Sequence, residues 1–382
     1  MSTAGAADTF KSADLVVQET KSPKTMPPLE DLKFGTTFTD HMLTVDFVEG
    51  EGWGKPTIKP FGFLSMHPAA QVLHYGMGCF EGMKAYRGPD GRGRLFRPDM
   101  NMARFAKSAQ RLHLANFDSQ ELFTCLKELL KLEKRWLPDK EGYSIYIRPF
   151  AFSSTHTLGV AAPSRTTLGV ILSPVGPYFR SGLTPVDMFI DEKHIRAWPG
   201  GMGEHKVGGN YAPTISPMVY AATEHGCSQV IYSFPQGSDP DNALISESGA
   251  MNVMFLLEKP SMRPVKDREL VTAPLDGTIL PGVTRDSVLE LTRGWGEFEV
   301  NERPLTLGEL KLAHDEGRLL EMIGCGTACI IQPIASVKRG NGDVYETVQR
   351  WGDVNTLTTR LTKQLTDIQF GHTDSEWSVP FE

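Results

Sequence analysis

The apolar segment Thr167 to Ser173 runs into Pro174, Gly176, Pro177 and Gly182, and this cluster of turn formers is the best break in the sequence. Proline removes a ladder donor and glycine frees the backbone, so a chain of 382 residues broken here divides into two domains of ordinary size. A hydrophobic content of 40% is enough to give each of them a core. The expected organisation is a mobile tail over residues 1–30, a small domain over 31–172, a linker over 173–183 and a large domain over 184–382.

The tail is expected because its Ser, Thr, Lys and Pro content, with Pro23, Pro27 and Pro28 near its end, leaves too little apolar surface to fold alone. From Phe34 to about Gly88 the pattern is one of strands and turns, with Thr39 to Val48 β-prone. Two helices follow. Met102, Phe105, Ala106, Ala109 and Leu112 share one face of the first, and Asp118 with Glu121 caps the second before Leu122, Leu126, Leu129 and Leu130. Alternation from Tyr143 to Phe150 then predicts a strand with Tyr146 and Arg148 on one face. Beyond the break come strands at Val186–Ile190, Gln229–Phe234, Leu244–Glu247 and Met251–Leu257. Helices are expected over Ser216–His225 and Thr284–Arg293, after a Thr306/Glu309 capping box, and along Leu357, Leu361, Leu365 and Ile368. No repeat of solenoid period is present, so the fold class is two-domain, α/β and α+β.

Lys+Arg 39 against Asp+Glu 46 gives a net charge of -7, which disfavours nucleic acid and anionic lipid as partners. Apolar runs such as Met251 to Leu257 are strand-length and far short of a membrane span. Five scattered cysteines argue against a secreted disulfide framework. Residues 1–30 contain no arginine but include Asp8, Asp14, Glu19 and Glu30, unlike a mitochondrial presequence, so a cytoplasmic location is expected. The ten histidines lack metal-ligand spacing, and no metal site is expected.

The most unusual stretch is Trp198 to Tyr211, where five glycines surround Lys206. It fails as an ATP loop, because Glu204 and His205 separate Gly203 from the lysine and no Ser or Thr follows it. Two readings remain: a solvated surface lysine, or an amine presented to a ligand. An enzyme using pyridoxal phosphate needs such a lysine, an acid facing the pyridine nitrogen, and donors around the phosphate. Glu247, at a strand end before Gly249, is a candidate acid; alone it reads equally as a surface carboxylate. Leu280 to Thr284 opens a helix whose free N–H groups suit a phosphate, and Gly324 to Ala328 is a further turn with amides to offer. Taken singly, these are a plain helix start and a plain strand connection.

Taken in order, several segments carry a resemblance: Phe38-Thr-Asp-His-Met-Leu43, Phe80-Glu-Gly-Met-Lys-Ala85, Tyr146-Ile-Arg-Pro149, Ser173-Pro-Val-Gly-Pro-Tyr178, Lys206-Val-Gly-Gly-Asn-Tyr211, Leu280-Pro-Gly-Val-Thr284 and Gly326-Thr-Ala328. From Phe34 to Gly371 the chain resembles eukaryotic branched-chain aminotransferases, of pyridoxal-phosphate fold type IV. The resemblance implies that Lys206 carries the cofactor, Glu247 partners the pyridine nitrogen and Tyr211 meets the cofactor O3'. It also implies that Arg104, Thr327 and the amides of Val283 and Thr284 hold the phosphate. Phe34, Tyr75, Phe80 and Tyr146 would line the substrate pocket, with Leu158 and Val160 reaching in from the partner of a homodimer. Arg148, with Tyr75, would bind the distal carboxylate, and the turn at Thr327 and Ala328 the α-carboxylate. The implied reaction has two halves: leucine, isoleucine or valine gives its amine to the cofactor, and 2-oxoglutarate then takes it to become glutamate.

This chain departs from the family pattern at several points. Ala250 stands where relatives have Thr, Cys325 replaces a common Ser, and Phe150 to Thr157 is unlike the usual segment. Gln332 occupies the second position of a Cys-x-x-Cys pair that would start at Cys329, so no thiol switch is expected. The competing readings are a paralogue with a shifted amino acid substrate, a lyase or D-amino acid relative, and a catalytically silent scaffold. The complete set Lys206, Tyr211, Glu247 and Arg104 argues against the last.

Overall fold

The computed structural model describes residues 9–177, 184–260, 267–349 and 353–382, so residues 178–183 of the expected linker lie outside it. The chain forms two compact units. The first comprises Met1–Arg180, His205–Gly209 and Thr366–Glu382; the second comprises Ser181–Glu204 and Asn210–Leu365. Each unit mixes helices with one large sheet, as the composition and patterning predict.

In the first unit the main path of a ten-stranded sheet runs Val16–Val17, Thr57–Pro60, His41–Val48, Arg165–Val175, Ser144–Ser153, Met83–Arg87, Gly93–Phe96, Ser378–Pro380. The strand read over Tyr143–Phe150 is Ser144–Ser153, paired antiparallel along its whole length with Arg165–Val175. Helix Pro98–Arg111 packs on this strand and on Gly78–Phe80, and Ser119–Leu132 packs on His41–Val48. Of the predicted apolar faces, Met102, Phe105 and Ala109 are buried on the first helix, with Ala106 and Leu112 half-buried, and Leu122, Leu126, Leu129 and Leu130 are buried on the second.

The N-terminal arm differs from the mobile tail expected over residues 1–30. From Thr9 onward it is fastened to the first unit. Phe10 is buried and meets Trp53 edge-on at 5.3 Å, Val16–Val17 pairs parallel with Thr57–Ile58, and the Lys24 N–H donates to Asp40 at 2.7 Å. One buried aromatic and a row of backbone hydrogen bonds offset the ordering entropy that composition alone suggested would win.

The second unit holds a nine-stranded mixed sheet whose path is Leu244–Ser248, Gln229–Phe234, Val186–Asp191, Ile330–Lys338, Leu319–Gly326, Asn252–Glu258, Arg268–Thr272, Glu299–Glu302. Helix Ile215–His225 covers Gln229–Phe234, and Val283–Trp295 and Leu307–Asp315 cover Leu319–Gly326. The predicted Thr306/Glu309 capping box is present in both directions. All five cysteines are buried free thiols, and burial pushes Cys79 up to about 12.

Candidate active site

In the first unit the backbone around Lys206 is held on three sides. Its N–H donates to Ser108 Oγ at 2.9 Å, its carbonyl accepts from the Phe80 N–H at 3.0 Å, and Val207 bridges to Cys79. The glycine-rich stretch is thus anchored where its lysine stands. Lys206 Nζ lies 4.8 Å from the centre of the Phe80 ring, and the Arg148 guanidinium lies 4.7 Å from the same centre. Arg148 also donates to the Tyr146 hydroxyl at 3.2 Å, which the shared strand face predicts, and Phe34 meets Tyr146 edge-on at 4.7 Å. Two cations, an apolar ring and a phenol therefore converge. Arg148 Nε is buried and has no hydrogen-bond partner among the described residues, so this guanidinium retains capacity for an anion.

Gly82 makes this packing possible. A Cβ there would stand 2.0 Å from the Tyr146 hydroxyl, so any larger residue would displace the tyrosine.

Arg104 is buried on helix Pro98–Arg111, where it forms a two-point ion pair with the fully buried Glu81: Nε to Oε1 at 2.6 Å and an Nη to Oε2 at 2.9 Å. Asn101 Nδ2 also donates to Oε2, at 2.9 Å. Burial pushes the Glu81 carboxyl up, but Arg104, Lys206 and Asn101 together outweigh it and hold the acid below its ordinary value. Neither Glu81 nor Asn101 was singled out by the sequence reading. The only hint was an acid inside an apolar run that includes Phe80 and Met83.

Tyr75 and Leu158 are joined directly, the Tyr75 hydroxyl donating to the Leu158 carbonyl. Leu158 and Val160 are exposed, at 68% and 82%.

In the second unit Glu247 is a buried carboxylate met by three donors. Arg196 Nη1 lies 2.7 Å from Oε1, the Leu280 N–H donates to Oε1 at 2.9 Å, and Asn252 Nδ2 donates to Oε2 at 2.7 Å. It is therefore not the solvated surface acid that the sequence left open. Helix Val283–Trp295 begins beside it with Gly282 as N-cap; no side chain caps it, and a Cβ on Gly282 would strike Asn252 Oδ1 at 2.1 Å. Val283 and Thr284 form its first turn and are buried. Thr327 and Ala328 occupy the turn between Leu319–Gly326 and Ile330–Lys338. That turn adjoins the Glu247 end of the sheet, because Asn252 pairs with Cys325 and a Cβ on Gly326 would lie 3.3 Å from the Ala250 carbonyl. Tyr211 is half-buried ahead of the short helix Ala212–Thr214. Among the described residues no group of three His, Cys, Asp or Glu side chains forms a metal-binding cluster, and no helix is long and apolar enough to cross a membrane.

The family model "Amino-transferase class IV" matches residues 78–337, and the chain belongs to that family. Among curated proteins, the cytosolic branched-chain-amino-acid aminotransferase of Mus musculus is 45% identical over 98% of this chain and 94% of its own length. The branched-chain-amino-acid aminotransferase of Dictyostelium discoideum is 43% identical over 96% and 94%, and the mitochondrial form of Rattus norvegicus 44% identical over 97% and 92%. Among solved structures, the Escherichia coli branched-chain amino acid aminotransferase superposes with a TM-score of 0.70 at 24% identity, covering 90% of this chain and 99% of that one. The Thermobaculum terrenum branched-chain amino acid aminotransferase in its PLP-bound holo form gives 0.67 at 20%, covering 91% and 100%. These two structures bear out the fold.

Proposed function

We propose that this chain is a pyridoxal-phosphate aminotransferase that takes the amine of leucine, isoleucine or valine and delivers it to 2-oxoglutarate, releasing branched-chain 2-oxo acids and glutamate. The observation that carries the reading is the convergence of Lys206, Phe80, Tyr146 and Arg148, with one face of the Arg148 guanidinium on Phe80 and its Nε unpartnered. An aliphatic side chain needs an apolar wall, and a distal carboxylate needs a cation with donors to spare. Phe80, Tyr146 and Arg148 supply both.

The residues present fit pyridoxal phosphate. Lys206 is an amine on an anchored backbone, Glu247 a buried carboxylate, Arg104 a buried guanidinium, and helix Val283–Trp295 starts with no side-chain cap. When bound, that cofactor supplies an electron sink that lets the Cα–H bond of the amino acid break and carries the amine between the two substrates. Lys206 would hold the cofactor and move the proton released from Cα. Glu247 would serve as the acid partner that keeps the pyridine nitrogen protonated, and Tyr211 would hydrogen-bond the ring oxygen. Arg104, Thr327 and the Val283 and Thr284 amides would hold the phosphate. Thr327 and Ala328 would orient the substrate's α-carboxylate.

The exposed apolar Leu158 and Val160 support a homodimer in which this loop completes the partner's pocket; because Tyr75 is bonded to the same loop, it would enter the partner's pocket with Leu158 and Val160, rather than line its own subunit's pocket with Phe34, Phe80 and Tyr146 as the resemblance implied. A cytoplasmic location belongs to the proposal, and the cytosolic relatives favour it. The test is half-reaction kinetics of the purified protein with a panel of amino acids. Leucine, isoleucine, valine and glutamate should all convert the bound cofactor; conversion by some other amino acid while these three are inert would favour the shifted-substrate paralogue.

A further inference from the structure

Gln71 is fully buried, with both amide N–H donors and the amide oxygen engaged. Nε2 donates to the carbonyls of Gly159, at 3.2 Å, and Ala161, at 3.0 Å; Oε1 accepts from Ser153 Oγ at 2.7 Å. Two carbonyl partners require two N–H donors, so the orientation of the amide follows from its neighbours. The two carbonyls flank Val160, and the next one back, that of Leu158, accepts from Tyr75.

The neck of the same loop is closed by Thr155. Its Oγ1 accepts from the N–H groups of Ser164 and Arg165, both at 2.9 Å, and the Thr157 N–H donates to the Ala69 carbonyl at 3.0 Å. Free in water, a loop bearing two exposed apolar side chains lowers its energy by turning them inward. Here the bonds to the carbonyls of Leu158, Gly159 and Ala161, together with the closed neck, prevent that.

We propose that Gln71 is a positioning residue for substrate selectivity: by holding the carbonyls on both sides of Val160, it fixes Leu158 and Val160 as a rigid apolar edge for aliphatic side chains. This rests on the reading that the loop completes a substrate pocket. Gln71 itself touches no substrate and acts through the loop.

The test uses the dimeric holoenzyme with Gln71→Met, which keeps the volume and removes both donors, and Ser153→Ala as a milder variant. Loss of the two buried hydrogen bonds to the loop, with the one from Ser153, should raise KM for leucine roughly tenfold. The same change should leave kcat for leucine, and both constants for 2-aminobutyrate, within about twofold, because the shorter side chain does not reach the edge. Hydrogen exchange at the amides of residues 157–161 should quicken in the same variants. Gln71→Glu adds a pH signature: the neutral acid retains one donor, whereas the carboxylate repels both carbonyls, so KM for leucine should climb with pH while the wild-type value stays level. Unchanged exchange in Gln71→Met overturns the clamp. Faster exchange with an unchanged leucine KM overturns the selectivity role, and Leu158→Ala then locates the fault: if it too leaves KM unmoved, the loop does not line the pocket.

Discussion

Replacing Arg148 with methionine removes the guanidinium while keeping an unbranched stem against Phe80 and Tyr146. Three features set the expected size of the effect: the bond to the Tyr146 hydroxyl, the stacking on Phe80, and the unpartnered Nε. A hydrogen bond to a charged group contributes about 1.5–3 kcal/mol, which corresponds to a fall of roughly 10- to 150-fold in kcat/KM for glutamate and 2-oxoglutarate. Leucine has no distal charge. It loses only the influence of the cation on the wall, and the methionine stem replaces most of the packing, so its kcat/KM should change by less than about threefold. Single-turnover rates for each half-reaction, in wild type and variant, read both numbers directly. Equal losses for leucine and glutamate would make Arg148 a structural residue of the strand. A loss confined to leucine would invert the polar side of the pocket and remove the basis for dual recognition.

Glu247→Gln should retain pyridoxal phosphate yet slow the leucine half-reaction by roughly 10- to 150-fold, since the charge proposed to partner the ring nitrogen is gone. It should also lower the melting temperature by leaving the buried Arg196 without its counter-ion; an unaltered half-reaction removes Glu247 from its assigned role. Glu81 is held below its ordinary value, so its ion pair with Arg104 stabilises the fold above the unfolded-state pKa of ~4.3, and that contribution is lost as pH falls through the folded value. Thermal melts should therefore show a shallower acid limb for Glu81→Gln than for wild type, with lower stability at neutral pH; identical limbs would mean that the pair does not titrate with unfolding. Gly82→Ala should push Tyr146 aside and weaken leucine and glutamate alike, and a variant with wild-type kinetics would show that the Tyr146 hydroxyl is free to move.

Periodicity made the strand bearing Tyr146 and Arg148 legible, together with the helices whose apolar faces are local in sequence. The Thr306/Glu309 box was legible for the same reason: both partners lie within one turn. Partners brought together only by tertiary folding were not. Arg104 meets Glu81 across 23 positions and Glu247 meets Leu280 across 33, and no residue pattern announces either contact. Arg196 gave no signal at all. The arm from Thr9 was misread because its sequence is poor in apolar residues, while its order comes from a single buried ring and from pairing with a strand some forty residues away. His205–Gly209 belongs to the first unit although its neighbours on both sides belong to the second, and nothing in a glycine-rich stretch foretells that placement.

The central claim is that Lys206 carries the cofactor. Purified protein loaded with pyridoxal phosphate, reduced with borohydride and digested should yield a single modified peptide, with the added mass on Lys206. Lys206→Ala should abolish that label together with turnover of leucine and 2-oxoglutarate. A label on another lysine, or an unlabelled wild-type protein that still transaminates, would contradict the account.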